Sequence, residues 1–235
     1  VTGAARGVPV LLGCSHGTDS VAGRAAIRSI LADVRVARPE LDVRETFVDL
    51  QEPAVADAVG AVVDPGGVAV VVPLLLSGGF HVHVDIAASV DGRPAVATAP
   101  LGPDARLVRV LLDRLVGAGA GPGDAIVLAA AGSTDPRAAV AVEEVAAALR
   151  AAWPEGPVTV GYGSASTPRV PDAVRAARAA GAQRVVVASY LLAPGFFLDR
   201  LGEAGADVVT SPLAPDPRLA DIVLDRYDAG VRAVR

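Results

Sequence analysis

The chain of 235 residues is an internal duplication. That feature constrains the fold most, because each copy must be a supersecondary unit of about 115 residues that is used twice. Thr18-Asp19 recurs as Thr134-Asp135 at an offset of 116. Arg38-Pro39-Glu40 matches Trp153-Pro154-Glu155, and Pro53 with Asp57-Ala58-Val59 matches Pro168 with Asp172-Ala173-Val174, both at 115. Val70-Val71-Val72 and Gly79-Phe80 map onto Val186-Val187-Ala188 and Gly195-Phe196 at 116. Pro100-Leu101-Gly102-Pro103-Asp104 returns as Pro212-Leu213-Ala214-Pro215-Asp216 at 112. The Gly/Pro-rich stretch from Gly117 to Gly123 reads as the linker, so the expected domains are residues 1–117 and 124–235.

Within each copy, short Val/Leu/Ile runs alternate with Ala-rich amphipathic stretches, the pattern of a parallel sheet covered by helices. The expected strands of copy one are Val8 to Ser15, Val43 to Leu50, Val68 to Leu76 and Pro94 to Ala99. Those of copy two are Ala125 to Ala131, Val158 to Gly163, Arg184 to Leu192 and Asp207 to Ser211. The fold class is thus α/β, two similar domains with a cleft between them, and ligands are expected beyond the carboxyl ends of the strands.

Composition removes several functions. Hydrophobic residues make up 52% and charged residues 20%, with a mean hydropathy of +0.46, so the chain is globular rather than disordered. The net charge is -5, and no basic run stands beside aromatic residues, so a nucleic-acid partner is not expected. The longest apolar run, Val68 to Leu76, falls far short of the roughly 20 residues a bilayer requires and reads as a buried strand, so no membrane association is expected. Val1 to Gly7 lacks the apolar core of a signal peptide, and a single cysteine makes no internal disulfide, which points to the cytoplasm. Neither Gly-x-Gly-x-x-Gly nor a P-loop follows the first strand, which disfavours a nucleotide or flavin site.

All three histidines, His16, His81 and His83, lie in copy one, and on the offset of 116 their counterparts are Gly132, Phe197 and Asp199. His16 follows strand one and His81 follows strand three. In a 2-1-3 order those strands are neighbours about 4.8 Å apart, so the two imidazoles converge at one sheet edge. Neutral imidazole binds divalent iron, cobalt, nickel and zinc and accepts protons near neutrality. A single histidine after a strand is more often a loop residue bonded to backbone; it is the convergence that favours a site. Cys14, two residues before His16, is expected on the same side of the strand but reads as buried packing. Asp49 and Glu52 read as a solvated loop after strand two.

Ser15-His16-Gly17-Thr18 after the first strand, with Pro73-Leu74-Leu75-Leu76-Ser77-Gly78-Gly79-Phe80-His81 and then Asp85-Ile86 after the third, resembles the sirohydrochlorin chelatases of the CbiX/SirB type. The likeness spans essentially the whole chain, since longer members of that family are also tandem duplications. It implies the class II chelatase fold, two flavodoxin-like halves around a cleft, and a lyase that inserts a divalent metal into sirohydrochlorin without an organic cofactor, in siroheme or cobalamin biosynthesis. The family's two histidines map onto His16 and His81, as catalytic residues and metal ligands. The common form His-Gly-Ser-Arg reads His16-Gly17-Thr18-Asp19 here, leaving Arg24 on the following helix as the candidate substitute.

Insertion releases two pyrrole protons and strips water from the metal, so the site needs a weak clamp and a base. A pair of imidazoles meets both needs, whereas a closed four-ligand site would retain the ion. Asp85 and His83 are expected to support the imidazoles. Gly78 and Gly79 are expected to let the chain turn close to the ligand. Phe196 is expected against the macrocycle face, with either it or Phe197 filling the core, and Arg137 and Arg200 against substrate carboxylates. The resemblance leans to Fe²⁺, with Co²⁺ also accepted. The partners are sirohydrochlorin and the metal, and the chain is expected to be a monomer or homodimer. A non-catalytic tetrapyrrole or metal carrier on the same scaffold is the alternative.

Overall fold

The computed structural model describes residues 7–79 and 82–234, with the side chains of Val82 and His83 excepted. In copy one β1 (Val10–Ser15), β2 (Val43–Phe47), β3 (Ala69–Pro73) and β4 (Ala95–Ala97) form one sheet; in copy two β5 (Ala125–Ala130), β6 (Val158–Tyr162), β7 (Val185–Tyr190) and β8 (Val208–Val209) form another. The strand orders are β2-β1-β3-β4 and β6-β5-β7-β8, parallel throughout. All eight expected strands are present, each of them shorter by one to three residues at one or both ends. Residues of β3, β5 and β7 are buried throughout, as strands covered on both faces must be.

Two helices cover each face. On the outer side of the first sheet lie α2 (Val55–Val63) and, after a π-helical turn at Val82–Ile86, the short α3 (Ala87–Val90); on that of the second lie α6 (Val170–Ala179) and α7 (Phe196–Gly202). The inner faces are covered by α1 (Val21–Ala37) and α5 (Pro136–Ala152), each capped by a side chain: Ser20 accepts from the Gly23 amide at 3.1 Å, Asp135 from the Arg137 amide at 2.9 Å.

The remaining helices, α4 (Ala105–Gly117) and α8 (Pro217–Ala233), cross over. The α4 helix ends copy one in the chain but packs on β7 and α5; α8 ends copy two but packs on β3, β4 and α1. One hydrophobic core therefore runs through both halves, with Leu107, Leu111 and Leu115 of α4 and Leu219, Ile222 and Tyr227 of α8 buried in it. Equivalent ties join the halves: Arg114 donates to the Pro212, Leu213 and Pro215 carbonyls, and Arg226 to those of Pro100 and Leu101. Arg106 pairs with Asp225 and Arg218 with Asp113, each at 2.7 Å. Those partner carboxylates are exposed, so each pair contributes about 1 kcal/mol at most. Each fully buried Leu or Ile contributes about 1.5–3 kcal/mol, so apolar packing dominates the exchange.

The backbone also corrects the registration of the repeat near its first loop. Gly17 and Gly132 occupy equivalent left-handed positions, with φ of +92° and +91°, so the offset there is 115 and the Thr18-Asp19 match at 116 is a coincidence of composition. The counterpart of His16 is Ala131, and that of Ser20 is Asp135.

At Gly230 the crossed helix α8 lies against the first sheet, where an added Cβ would come within 2.5 Å of Val70 Cγ1 and 2.8 Å of Thr98 Cγ2. Val70 is fully buried and stiff about χ1, so it cannot yield cheaply. Gly230→Ala is therefore expected to destabilise by about 1 kcal/mol, overpacking of about 1–3 kcal/mol outweighing the roughly 1 kcal/mol helix preference for Ala. Gly117→Ala, with no atom within 4 Å, is the control that should not lower stability. Thermal unfolding followed by circular dichroism checks both, and a Gly230→Ala protein melting at or above the parent would show that close approach is not limiting.

Candidate functional site

Between the carboxyl ends of the two sheets lies a cavity of about 820 Å³, lined by residues of both copies. The strands β1 and β3 that lead into it are direct neighbours, with Cys14 opposite Pro73, and the Leu74 amide continues the ladder to the Cys14 carbonyl at 2.7 Å. His16, the residue after β1, is exposed on the cavity wall. The loop that carries it is tightly organised. The His16 carbonyl accepts from the Asp49 amide at 3.2 Å. A Cβ at Gly17 would stand 2.5 Å from the Asp49 carbonyl oxygen, so glycine is required both for its φ and for that approach. The Thr18 amide donates to Gln51 Oε1 at 3.0 Å, and Thr18 Oγ1 accepts from the Ser20 amide at 3.1 Å.

The loops after β1 and β3 each meet copy two. A Cβ at Gly79 would be 3.2 Å from Ser133 Oγ, and one at Gly23 would be 2.6 Å from the Pro194 carbonyl. At the floor Tyr190, almost wholly buried, donates its hydroxyl to the Leu76 carbonyl at 3.1 Å, and burial holds its pKa far above the ordinary phenol value. The segment leading toward His81 is thus braced by the opposite half. Gly79 lines the cavity, whereas Gly78 is half-buried outside its lining.

His81, expected beside His16, lies outside the described residues, as does Phe80. His83 falls in the π-helical turn. Among the described residues no cluster of three or more His, Cys, Asp or Glu is arranged to hold a metal. Asp85, half-buried in the same turn, is close enough to Cys14 for its charge to act on the thiol. The Cys14 side chain is not on the cavity side, as expected from its spacing to His16: it packs with Ile86 and α2 on the outer face. His16 escapes the alternation because it stands beyond the end of the strand.

Phe196 and Phe197 divide their roles. Phe197 packs with the outer core of copy two, while Phe196 is 68% exposed on the cavity wall, the rings meeting edge to face at 5.6 Å. Arg200 lies over the Phe196 ring, 5.7 Å from its centroid, and does not line the cavity. Arg137 is also outside the lining, its guanidinium turned back on its own helix cap, Asp135, by a fork of bonds of 2.7 to 3.2 Å. The arginine among the described lining residues is Arg24. Arg24 was the candidate on the helix after His16, whereas Gln51, Tyr162, Tyr190 and the hydroxyl groups of Ser133, Ser164 and Ser166 were not anticipated. Their signal in the sequence is position, Tyr162 and Tyr190 closing strands and the others standing within four residues after a strand end.

The chain was compared with known proteins. The CbiX family model matches it twice, over residues 10–118 and 125–229. A curated sirohydrochlorin ferrochelatase from Priestia megaterium is 25% identical over 167 residues, covering 67% of this chain and 63% of that protein, so the match spans less than two thirds of that relative's length. Among solved structures, SirB from Bacillus subtilis with Fe³⁺ superposes with a TM-score of 0.79 at 20% identity, over 96% of this chain and 95% of that one. SirB from the spizizenii subspecies in complex with cobalt gives 0.74 at 20% identity, over 95% of both chains. A CbiX described as the terminal enzyme for siroheme biosynthesis in denitrifying bacteria gives 0.66 at 20% identity, over 94% and 98%. At that identity these structures share the fold.

Burial, reinforced by the charge of Asp85, pushes the Cys14 thiol up to about 12. Only the thiolate is a nucleophile, so Cys14 should be inert in the native protein. Disulfide-exchange reagent at pH 8 is expected to find no reactive thiol until the protein is unfolded in guanidinium, when its single cysteine reacts. Rapid stoichiometric labelling of the native chain would contradict this.

Proposed function

The chain belongs to the CbiX family, and from that premise we propose that it is a sirohydrochlorin chelatase, inserting Fe²⁺, and in vitro also Co²⁺, into the tetrapyrrole. The observation that carries this reading is the cavity: about 820 Å³ between two sheet edges, with His16 on its wall beside the strand that leads to His81. Sites for ligands of this size are typically about 300–1,000 Å³ and open at such strand ends.

The metal is a substrate and no organic cofactor is needed. His16 and His81 hold the ion through neutral imidazole nitrogens and take up the pyrrole protons as the macrocycle closes on it. Two protein ligands leave open positions for water and then for pyrrole nitrogens, so the ion is released forward. Phe196 lies against the macrocycle face, and its contact with Arg200 and Phe197 holds the ring in place. The absence of a chain side group at Gly79 keeps the loop against Ser133 and leaves room for the ligand. Asp85 and His83, in the turn after His81, are assigned to orienting an imidazole rather than to binding metal. Iron and cobalt are not separated by two nitrogen ligands, so selection rests on availability and release.

Anaerobic insertion assays with sirohydrochlorin and each metal, read by absorbance, test the proposal. Many turnovers per chain are expected; one equivalent or less would favour a carrier. His16→Ala and His81→Ala should each lower the rate by orders of magnitude with an unchanged circular dichroism spectrum, and His83→Ala should do less. Near-parental turnover in His81→Ala would remove the central assignment. Metal titration should find one histidine-dependent site per chain.

A further inference from the structure

The cavity's two walls share a backbone plan but not a chemistry. Every acidic, basic or imidazole side chain among its described lining residues, His16, Asp19, Arg24 and Glu45, comes from copy one. The copy-two lining is apolar or hydroxyl-bearing. Glu45 is already engaged, accepting from Arg28 Nε at 3.1 Å. Asp19 is 89% exposed, and its 3.6 Å approach to Arg24 is too long for a hydrogen bond.

Arg24 is different. Its Nε donates to the Thr18 carbonyl at 2.7 Å, and its side chain is 38% exposed. One of the guanidinium's five donors therefore fixes its plane against the His16 loop. Among the described residues, the terminal nitrogens have only the long contact to Asp19. A held fork facing a cavity suits bidentate capture of a carboxylate. Other arginines near this edge are engaged elsewhere, Arg137 on Asp135, Arg200 on the Phe196 ring, Arg28 on Glu45 and Arg169 on the Gly163 carbonyl. With the helix caps Ser20 and Asp135 superposed, the counterpart of Arg24 is Ala139, so copy two offers no matching cation.

We infer that Arg24 recognises a peripheral carboxylate of the substrate and so anchors the macrocycle on the copy-one side of the cavity. The inference rests on the chelatase reading. Copy two, with Ala139 at the equivalent place, offers no second cation, so the ionic anchoring is one-sided.

The test is anaerobic titration of metal-free sirohydrochlorin, followed by absorbance, into the full chain and into Arg24→Gln and Arg24→Lys, with thermal melts to establish that each variant is folded. Losing a charged hydrogen-bonding pair should weaken binding about tenfold to a hundredfold in Arg24→Gln. Arg24→Lys should fall between, keeping charge but not the fork. The parent's affinity should drop more steeply with salt than that of Arg24→Gln. In steady-state insertion the loss should appear in KM, with kcat near the parental value. If a folded Arg24→Gln binds with parental affinity and salt dependence, the inference is overturned and the chelatase reading stands. If the parent itself does not bind sirohydrochlorin, both are overturned.

Discussion

The crossing of α4 and α8 is the contact on which the rest of this molecule depends. A four-stranded sheet buried on both faces needs two helical layers, and each copy supplies the second helix of its inner layer to the other copy. Leu111 and Ile222 thereby sit in one continuous core, and Gly230 allows α8 to lie on Val70. The relative position of the sheets is set by close-packed side chains and not by a linker. That matters for the cavity, whose opposite walls belong to different copies. Loops on either side of an 820 Å³ cavity can hold a ligand geometry only if the sheets beneath them do not slide.

Given that rigidity, the loops are free to diverge. The backbone bonds that shape them are kept in both copies: Gly17 and Gly132 turn with φ near +90°, and the Asp49 and Ser164 amides donate to the carbonyls of His16 and Ala131. What changes is the side chain presented: histidine against alanine, Gln51 against Ser166, Arg24 against Ala139. Conserving the turn while replacing its tip is inexpensive, because these side chains are exposed or half-exposed at the cleft and contribute little to the core.

The strands and their parallel sense were legible from apolar runs alternating with helical stretches, since a strand buried on both faces reads as an uninterrupted Val/Leu/Ile segment, while the order 2-1-3 came from the usual winding of such sheets. The exchange of α4 and α8 was not. An amphipathic pattern says that a helix has an apolar face, and Leu107, Leu111 and Leu115 would serve against either sheet. The repeat itself misled at one point: Thr18-Asp19 and Thr134-Asp135 match by identity, yet the left-handed glycines beside them put the true counterpart one residue away. Cys14 is buried packing, as its place at a strand end suggests, but it does not share a side with His16, because period-two alternation stops at the last strand residue, Ser15.

Arginines show where sequence position stops being informative about a site. Arg137 and Arg24 lie near the starts of equivalent helices, and either is a credible partner for a carboxylate. Whether such a side chain reaches the cleft is decided by its immediate neighbours. Asp135 caps α5 with an acid that also takes the Arg137 guanidinium, whereas Ser20 caps α1 with a neutral hydroxyl that cannot form an ion pair. Arg24 turns instead to the Thr18 carbonyl, within the loop that presents His16. The acidic cap thus keeps Arg137 out of the cleft, and the cleft's positive charge comes from a position one turn past the cap, where copy one has Arg24 and copy two Ala139.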